Sequence, residues 1–139
     1  MKQREPVSAI MSKHLIVLTL KDDLETAEAL FKQHKIRHIP VVSGTGIIGM
    51  LSYTDVLRIS FVDAADEDDK DIDAVVYNMF TIQQVMVKDI TTVTSNTSIK
   101  DVAKILAKKE FHALPVVDDA TLVGIVTTTD LINYLIDLY

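Results

Sequence analysis

Residues 40–55 read PVVSGTGIIGMLSYTD, and residues 115–130 read PVVDDATLVGIVTTTD. Both stretches open with Pro-Val-Val, carry a glycine nine residues after the proline and end in Thr-Asp, at a constant offset of 75 residues. Extended outward without a gap, the match aligns residues 7–57 with residues 82–132. It contains nine identities in 51 positions, whereas average composition gives about three by chance. The sequence therefore predicts a tandem repeat.

Both copies show the same order of predicted elements. A helical pattern is followed by two β-branched runs joined by a tight turn, and then by a second helix from Thr54 or Thr129 onward. Short extended pieces at 16–19 and 91–94 precede each copy. The expected caps of the first helices are Asp22 or Asp23 in copy one and Thr97 or Ser98 in copy two. Because a β-α-β-β-α unit of about 55 residues buries little surface alone, we expect an α/β (α+β) fold with the two units packed through their sheets.

The net charge of −6 lies in one segment. Residues 63–73 hold seven acids and one lysine, while the rest of the chain has 13 acids and 13 bases. Such a run is typical of a solvated linker. This predicts a repeat at 6–60, an acidic linker at 61–80 and a second repeat at 81–137. Dense carboxylates also bind hard cations such as Mg²⁺ or Ca²⁺, so a cation-sensing linker stays open as an alternative.

Composition and motifs disfavour several classes of function. The chain has no basic stripe with interleaved aromatic residues, so no nucleic-acid partner is expected. Its apolar runs are too short to cross a membrane, and no signal peptide is visible, so a cytoplasmic location is expected. The chain has no cysteine, which excludes disulfides and thiolate chemistry. No nucleophile elbow or Walker loop is present, and His34 and His38 lack further ligands, so neither an enzyme nor a metal site is expected.

The repeated units resemble a pair of CBS domains, a Bateman module, of the stand-alone type. The resemblance rests on the Pro-Val-Val strands and on the Gly-φ-φ-[Ser/Thr]-x-x-Asp endings at 49–55 and 124–130, and it spans nearly the whole chain. It implies that an adenosyl ligand such as AMP, ADP, ATP or S-adenosylmethionine binds in clefts between the paired repeats, with no obligatory cofactor.

The resemblance also implies the site residues. Asp55 and Asp130 would accept hydrogen bonds from ribose hydroxyls, because a carboxylate is an acceptor that can take two donors. The other implied ligand residues are Ser52, Thr127, Arg37, His38, His112 and Thr97. Arg37 can bind a phosphate bidentately, whereas His112 is charged only conditionally, so the two sites are expected to differ in phosphate affinity. The hydroxyl–acid pairs also fit plain helix caps.

The implied function is a regulatory module that senses an adenine nucleotide or adenosyl compound and signals to an unidentified partner protein by conformational change. The alternative is a ligand-free dimerisation or scaffold module. The last helix, predicted over 129–139, is apolar nearly all round, and the matching helix of copy one is similar. Each is expected to pack one face on its own sheet and the other on a second subunit, which predicts a homodimer.

Overall fold

The computed structural model describes residues 5–63, 79–109 and 112–139 of the protein. After a 3-10 turn at Val7–Ala9, the elements are α1 (Leu24–His34), β1 (His38–Ser43), β2 (Gly46–Ser52), α2 (Tyr53–Asp63), α3 (Ile82–Val85), α4 (Ile99–Lys109), β3 (Ala113–Asp118), β4 (Thr121–Thr127) and α5 (Thr128–Asp137). None of the helices in the described part of the chain is long and apolar enough to cross a membrane.

The described residues form two compact units. The β1–β2 unit lies within residues 16–90, and the β3–β4 unit combines the segment before residue 16 with the chain from residue 91 onward. In each unit the two strands form an antiparallel hairpin. Both hairpins have the same register, with an irregularity between the two valines of Pro-Val-Val, at Val41/Val42 and Val116/Val117. The predicted mixed α/β class and the repeated element order are confirmed.

The predicted extended pieces before α1 and α4 are shorter than expected. Each contributes a single parallel bridge to the neighbouring strand, Leu18 to Val41 and Val93 to Val116. The predicted tight turn joins the two strands of each hairpin, since Ser43 pairs with Gly46 across one turn and Asp118 with Thr121 across the other. Only the first turn places a glycine, Gly44, at positive φ.

The structure decides between the alternative helix caps. Asp23 caps α1, because its Oδ1 accepts the Thr26 N–H at 2.7 Å, while Asp22 accepts the Thr19 N–H at 2.8 Å in the preceding turn. Ser98 caps α4, because its Oγ accepts the Asp101 N–H at 3.1 Å. Thr97 occupies the position equivalent to Asp22, and its Oγ1 accepts the Thr94 N–H at 3.0 Å. A side-chain oxygen thus satisfies one of the amides that each helix start leaves unpaired.

Each unit has its own hydrophobic core. In the β1–β2 unit the residues Leu18, Leu24, Phe31, Ile39, Leu51 and Val56 are almost completely buried. In the β3–β4 unit the corresponding set is Val7, Val102, Leu114, Val116 and Val126. In each unit the buried apolar side chains of the strands and helices therefore face that unit's own core.

Each unit also includes the segment that opens the other repeat. Val87, from the start of repeat two, forms a pair of backbone hydrogen bonds with Met50 of β2, at 3.0 and 2.9 Å. Ser12, from the start of repeat one, forms the matching pair with Ile125 of β4, at 2.8 and 3.0 Å. The compact units therefore draw their residues from both sequence repeats.

Candidate functional site

Four of the predicted site residues lie together at one end of the β1–β2 hairpin. His38, the first residue of β1, is opposite Ser52, the last residue of β2. The carbonyl of Arg37 accepts the N–H of Tyr53 at 2.8 Å, which fixes Arg37 beside the start of α2. Asp55 lies in the first turn of α2. The hairpin end and the start of α2 thus hold the backbone positions of Arg37, His38, Ser52 and Asp55 close together.

The β3–β4 unit repeats this arrangement with different side chains. Ala113 is opposite Thr127, and the carbonyl of His112 accepts the N–H of Thr128 at 3.0 Å. Asp130 lies in the first turn of α5. The backbone geometry is therefore the same in both units, but an imidazole stands where the β1–β2 unit has the guanidinium of Arg37.

Thr97 lies on a separate element, immediately before α4. Its Oγ1 accepts the N–H of Thr94 at 3.0 Å, and its carbonyl accepts the N–H of Val7 at 2.7 Å. The hydroxyl of Thr97 is thus already used to close a turn, as the carboxylate of Asp22 is in the other unit. Any role toward a ligand must use its remaining hydrogen-bonding capacity.

The two hydroxyl–acid pairs differ in their hydrogen bonds. Thr127 and Asp130 form a complete capping box, in which Thr127 Oγ1 accepts the Asp130 N–H at 3.2 Å and Asp130 Oδ2 accepts the Thr127 N–H at 2.8 Å. In the other pair, Ser52 Oγ accepts the Asp55 N–H at 3.1 Å, while Asp55 Oδ1 lies 3.8 Å from the guanidinium of Arg58. The capping interpretation therefore accounts for the carboxylate of Asp130 better than for that of Asp55.

The functional groups are accessible to a ligand. Arg37 and His112 are exposed, and the side chains of Ser52, Asp55, Thr127 and Asp130 are partly exposed. Among the described residues no polar or charged residue is buried, and no group of three or more His, Asp or Glu residues could hold a metal ion. Most of the acidic run, residues 64–73, lies outside the described residues, so the cation-sensing alternative is not tested.

One polar contact was not predicted from the sequence. The hydroxyl of Tyr134 on α5 donates to Glu5 Oε2 at 2.7 Å, although the two residues are 129 positions apart. This hydrogen bond to the Glu5 carboxylate raises the pKa of Tyr134 above its ordinary value. Neither residue belongs to a repeated motif, so nothing in the sequence pattern marks the pair.

The outer face of α5 is apolar and unpartnered within the described residues. Leu135 and Ile136 are 53% and 63% exposed, and Ile132 and Leu138 are exposed to a similar degree. The prediction that this helix is apolar on more than its core face agrees with these exposures. A soluble chain exposes such a face mainly where another molecule covers it.

Comparison with known proteins gives consistent matches. The family described as CBS domain matches residues 7–61 and 82–137. The CBS domain-containing protein YhcV of Bacillus subtilis is 26% identical over 125 residues, which are 90% of this chain and 81% of that protein. Other curated relatives are longer, and the chain spans 48%, 32% and 43% of the length of three of them.

Two solved structures are similar along nearly all of the chain. AcuB of Vibrio cholerae superposes with a TM-score of 0.80 and is 27% identical, covering 96% of this chain and 91% of that one. The CBS domain pair of protein MJ0100 superposes with a TM-score of 0.76 and is 25% identical, covering 94% and 98%. That structure is a complex with 5′-methylthioadenosine and S-adenosyl-L-methionine.

Proposed function

The chain belongs to the CBS domain family, and from this premise we propose that it is a regulatory module that binds an adenosyl compound and signals binding to a partner protein by conformational change. CBS domains are regulatory modules and not enzymes in themselves. The observation that carries the proposal is the repeated polar arrangement at the hairpin ends. Support comes from the 25% identical domain pair that binds two adenosyl compounds.

The proposed roles follow from the chemistry of each group. Asp55 and Asp130 accept hydrogen bonds from the two ribose hydroxyls, since an ionised carboxylate only accepts. Ser52 and Thr127 contact the same sugar or its phosphate through their hydroxyls. Arg37, with His38 beside it, binds phosphate in the β1–β2 unit, and His112 takes this position in the other unit. Thr97 contributes its remaining hydrogen-bonding capacity.

The proposal is tested by thermal melting and calorimetric titration with AMP, ADP, ATP and S-adenosylmethionine. A ligand at 100 times its dissociation constant should stabilise the folded chain by about 2.7 kcal/mol. Asp55→Ala and Asp130→Ala should each weaken binding by about 1.5–3 kcal/mol, because each removes hydrogen bonds to a charged acceptor. Asp101→Ala is the matched control, since Asp101 also follows a capping serine in the first turn of a helix but is not a site residue.

Two results would contradict the proposal. If no adenosyl ligand changes the melting temperature, the function is not ligand sensing. If both aspartate variants bind as the wild type does, these residues are not in the site. A larger loss of ligand-free stability for Asp130→Ala than for Asp55→Ala is expected in any case, because only Asp130 accepts the Thr127 N–H.

A ligand-free scaffold is the second candidate function, and two observations favour it. The Thr127–Asp130 pair is satisfied by its own hydrogen bonds, and the apolar face of α5 is exposed. We propose that this face forms a homodimer interface, since a two-fold dimer is the commonest arrangement for such a surface. A homodimer is compatible with both candidate functions, so the ligand titrations above are what separates them.

A further inference from the structure

Glu5 contacts the start of α4, which directly follows Thr97, and also contacts α5, which carries Asp130. Its carbonyl accepts the N–H of Ile99, the first residue of α4, at 2.9 Å. The next residues continue the attachment, because the Val7 N–H donates to the carbonyl of Thr97 at 2.7 Å and the Val7 side chain is completely buried. The backbone of Glu5 is therefore fixed beside the start of α4.

The side chain of Glu5 reaches α5. Its Oε2 accepts a hydrogen bond from the hydroxyl of Tyr134 at 2.7 Å. Tyr134 follows Asp130 by four residues, which places both residues on one face of the helix. The Glu5 carboxylate accordingly adds a second negative charge on the Asp130 side of α5. The hydrogen bond to Glu5 raises the pKa of Tyr134, and the negative charge of Glu5 adds to this effect.

The matched positions of the β1–β2 unit have a different charge. At the offset of 75 residues, Phe80 stands at the position of Glu5 and Ile59 at that of Tyr134. Arg58, which lies 3.8 Å from Asp55, stands at the position of Asn133. Together with Arg37, which is held at the start of α2, the β1–β2 unit has two arginines among its matched positions, and one of them contacts Asp55.

Asp22, which stands at the position of Thr97, is the other acid among these matched positions of the β1–β2 unit, and it does not reverse the contrast in charge. Its Oδ2 accepts the Thr19 N–H at 2.8 Å and faces the Thr19 hydroxyl at 3.4 Å. At these matched positions the two guanidinium groups of Arg37 and Arg58 balance the two carboxylates of Asp22 and Asp55. The β3–β4 set has the carboxylates of Glu5 and Asp130, and neither arginine position holds an arginine or a lysine.

We propose that the two sites prefer adenosyl ligands of different charge. Glu5 determines the preference of the β3–β4 unit, and Arg58, together with Arg37, determines that of the β1–β2 unit. The β3–β4 site takes a neutral or cationic adenosyl compound, such as a thioether nucleoside or a sulfonium. The β1–β2 site takes a phosphorylated adenosine, because guanidinium groups bind phosphate bidentately and a carboxylate repels it. This inference rests on the proposed function, since it requires that both sites bind adenosyl compounds.

The test compares AMP with 5′-methylthioadenosine, which share the nucleoside and differ in the charge of the 5′ group. Calorimetric titrations use the full chain in two backgrounds, Asp55→Ala to isolate the β3–β4 site and Asp130→Ala to isolate the β1–β2 site. The first background should prefer 5′-methylthioadenosine and the second should prefer AMP. Adding Arg58→Ala to the second background should reduce its preference for AMP by about tenfold, the effect of removing one exposed positive charge near the phosphate.

Glu5→Gln separates the charge of Glu5 from its structural contact. Glutamine keeps a carbonyl acceptor for the Tyr134 hydroxyl but removes the negative charge. In the Asp55→Ala background it should shift the preference by about tenfold toward AMP. Asp119→Asn, an exposed acid in the β3–β4 turn, is the control and should leave the preference unchanged.

Three outcomes would overturn the inference. Equal preferences in the two backgrounds would show that the sites do not divide ligands by charge. Equal changes in AMP and 5′-methylthioadenosine affinity on Glu5→Gln would show that the charge of Glu5 does not determine the ligand preference. In both cases the proposed function would stand, whereas no binding of either compound, or of S-adenosylmethionine, by the wild-type chain would overturn both.

Discussion

Replacing Gly49 with alanine should loosen the attachment of the repeat-two segment to the β1–β2 unit. A Cβ at this position would overlap Met86 Sδ and lie 2.9 Å from Met86 Cγ. Met86 is only 8% exposed, and the next residue, Val87, is held to Met50 by two backbone hydrogen bonds. The thioether must therefore move within a packed core, and overpacking of this kind costs about 1–3 kcal/mol.

The equivalent substitution in the other unit should cost more. A Cβ at Gly124 would lie 2.6 Å from Met11 Sδ and 3.0 Å from the backbone oxygen of Ser12. A methionine side chain can change rotamer, but the Ser12 carbonyl cannot move without lengthening its hydrogen bond from the Ile125 N–H. Gly124→Ala is therefore expected at the upper end of the range, near 3 kcal/mol.

Chemical denaturation of single and double variants measures these costs. If Met86 is the obstacle, Gly49→Ala should cost at least about 1 kcal/mol less in a Met86→Ala background than in the wild type, because residues in contact are not additive. Gly44→Ala is the control, since Gly44 has a φ of +63° with no atom near its added Cβ, and its cost should be the same in both backgrounds. An equal cost of Gly49→Ala in both would refute the docking of Met86 on β2.

Two further predictions concern stability and assembly. Asp23→Ala should destabilise the chain by about 0.5–2 kcal/mol at neutral pH through loss of the α1 cap. The Thr26 hydrogen bond lowers the pKa of Asp23 below its ordinary value of 3.8. The stabilisation is therefore present above that value and is lost as pH falls through the lowered pKa, so denaturation at a series of pH values should show the variant and wild type converging in acid. Ile136→Glu with Tyr139→Glu should convert a homodimer of twice 15.5 kDa into monomers or aggregates, and a wild-type chain that is monomeric by light scattering at micromolar concentration would contradict the interface.

The hairpins and helix starts could be predicted because local chemistry determines them. Pro-Val-Val favours an extended strand, a two-residue turn sets the register, and a hydroxyl or carboxylate before an apolar face marks a cap. The choice between Asp22 and Asp23, or between Thr97 and Ser98, could not be made from the sequence. Both members of each pair can cap, and both are used, one for the helix and one for the preceding turn.

The exchange of opening segments could not be predicted from the repeat. In the repeat, Met11 aligns with Met86, and Gly49 aligns with Gly124. The alignment does not indicate which methionine packs on which glycine. Either pairing buries a thioether against a glycine. The contact of Glu5 with Tyr134 depends on that choice, so it could not be predicted for the same reason.

The proposed site residues were predicted from a motif that does not by itself separate a ligand from a cap. Ser-x-x-Asp and Thr-x-x-Asp are both sufficient for a capping box, yet only Thr127 and Asp130 complete one in the structure. The neighbour at the next turn differs, since Arg58 lies near Asp55 while Asn133 occupies the matching position. Side chains outside the motif therefore determine how each carboxylate is used.

The β1–β2 unit is consequently the more informative place to separate ligand sensing from scaffolding. If Asp130→Ala loses both stability and affinity, the loss of its capping box is enough to explain both effects. Among the described residues, the carboxylate of Asp55 contacts an exposed arginine at 3.8 Å, and surface ion pairs contribute little to stability. A variant at Asp55 that keeps the ligand-free melting temperature but loses AMP affinity would therefore have no structural explanation, and ligand binding would be the remaining role for this carboxylate.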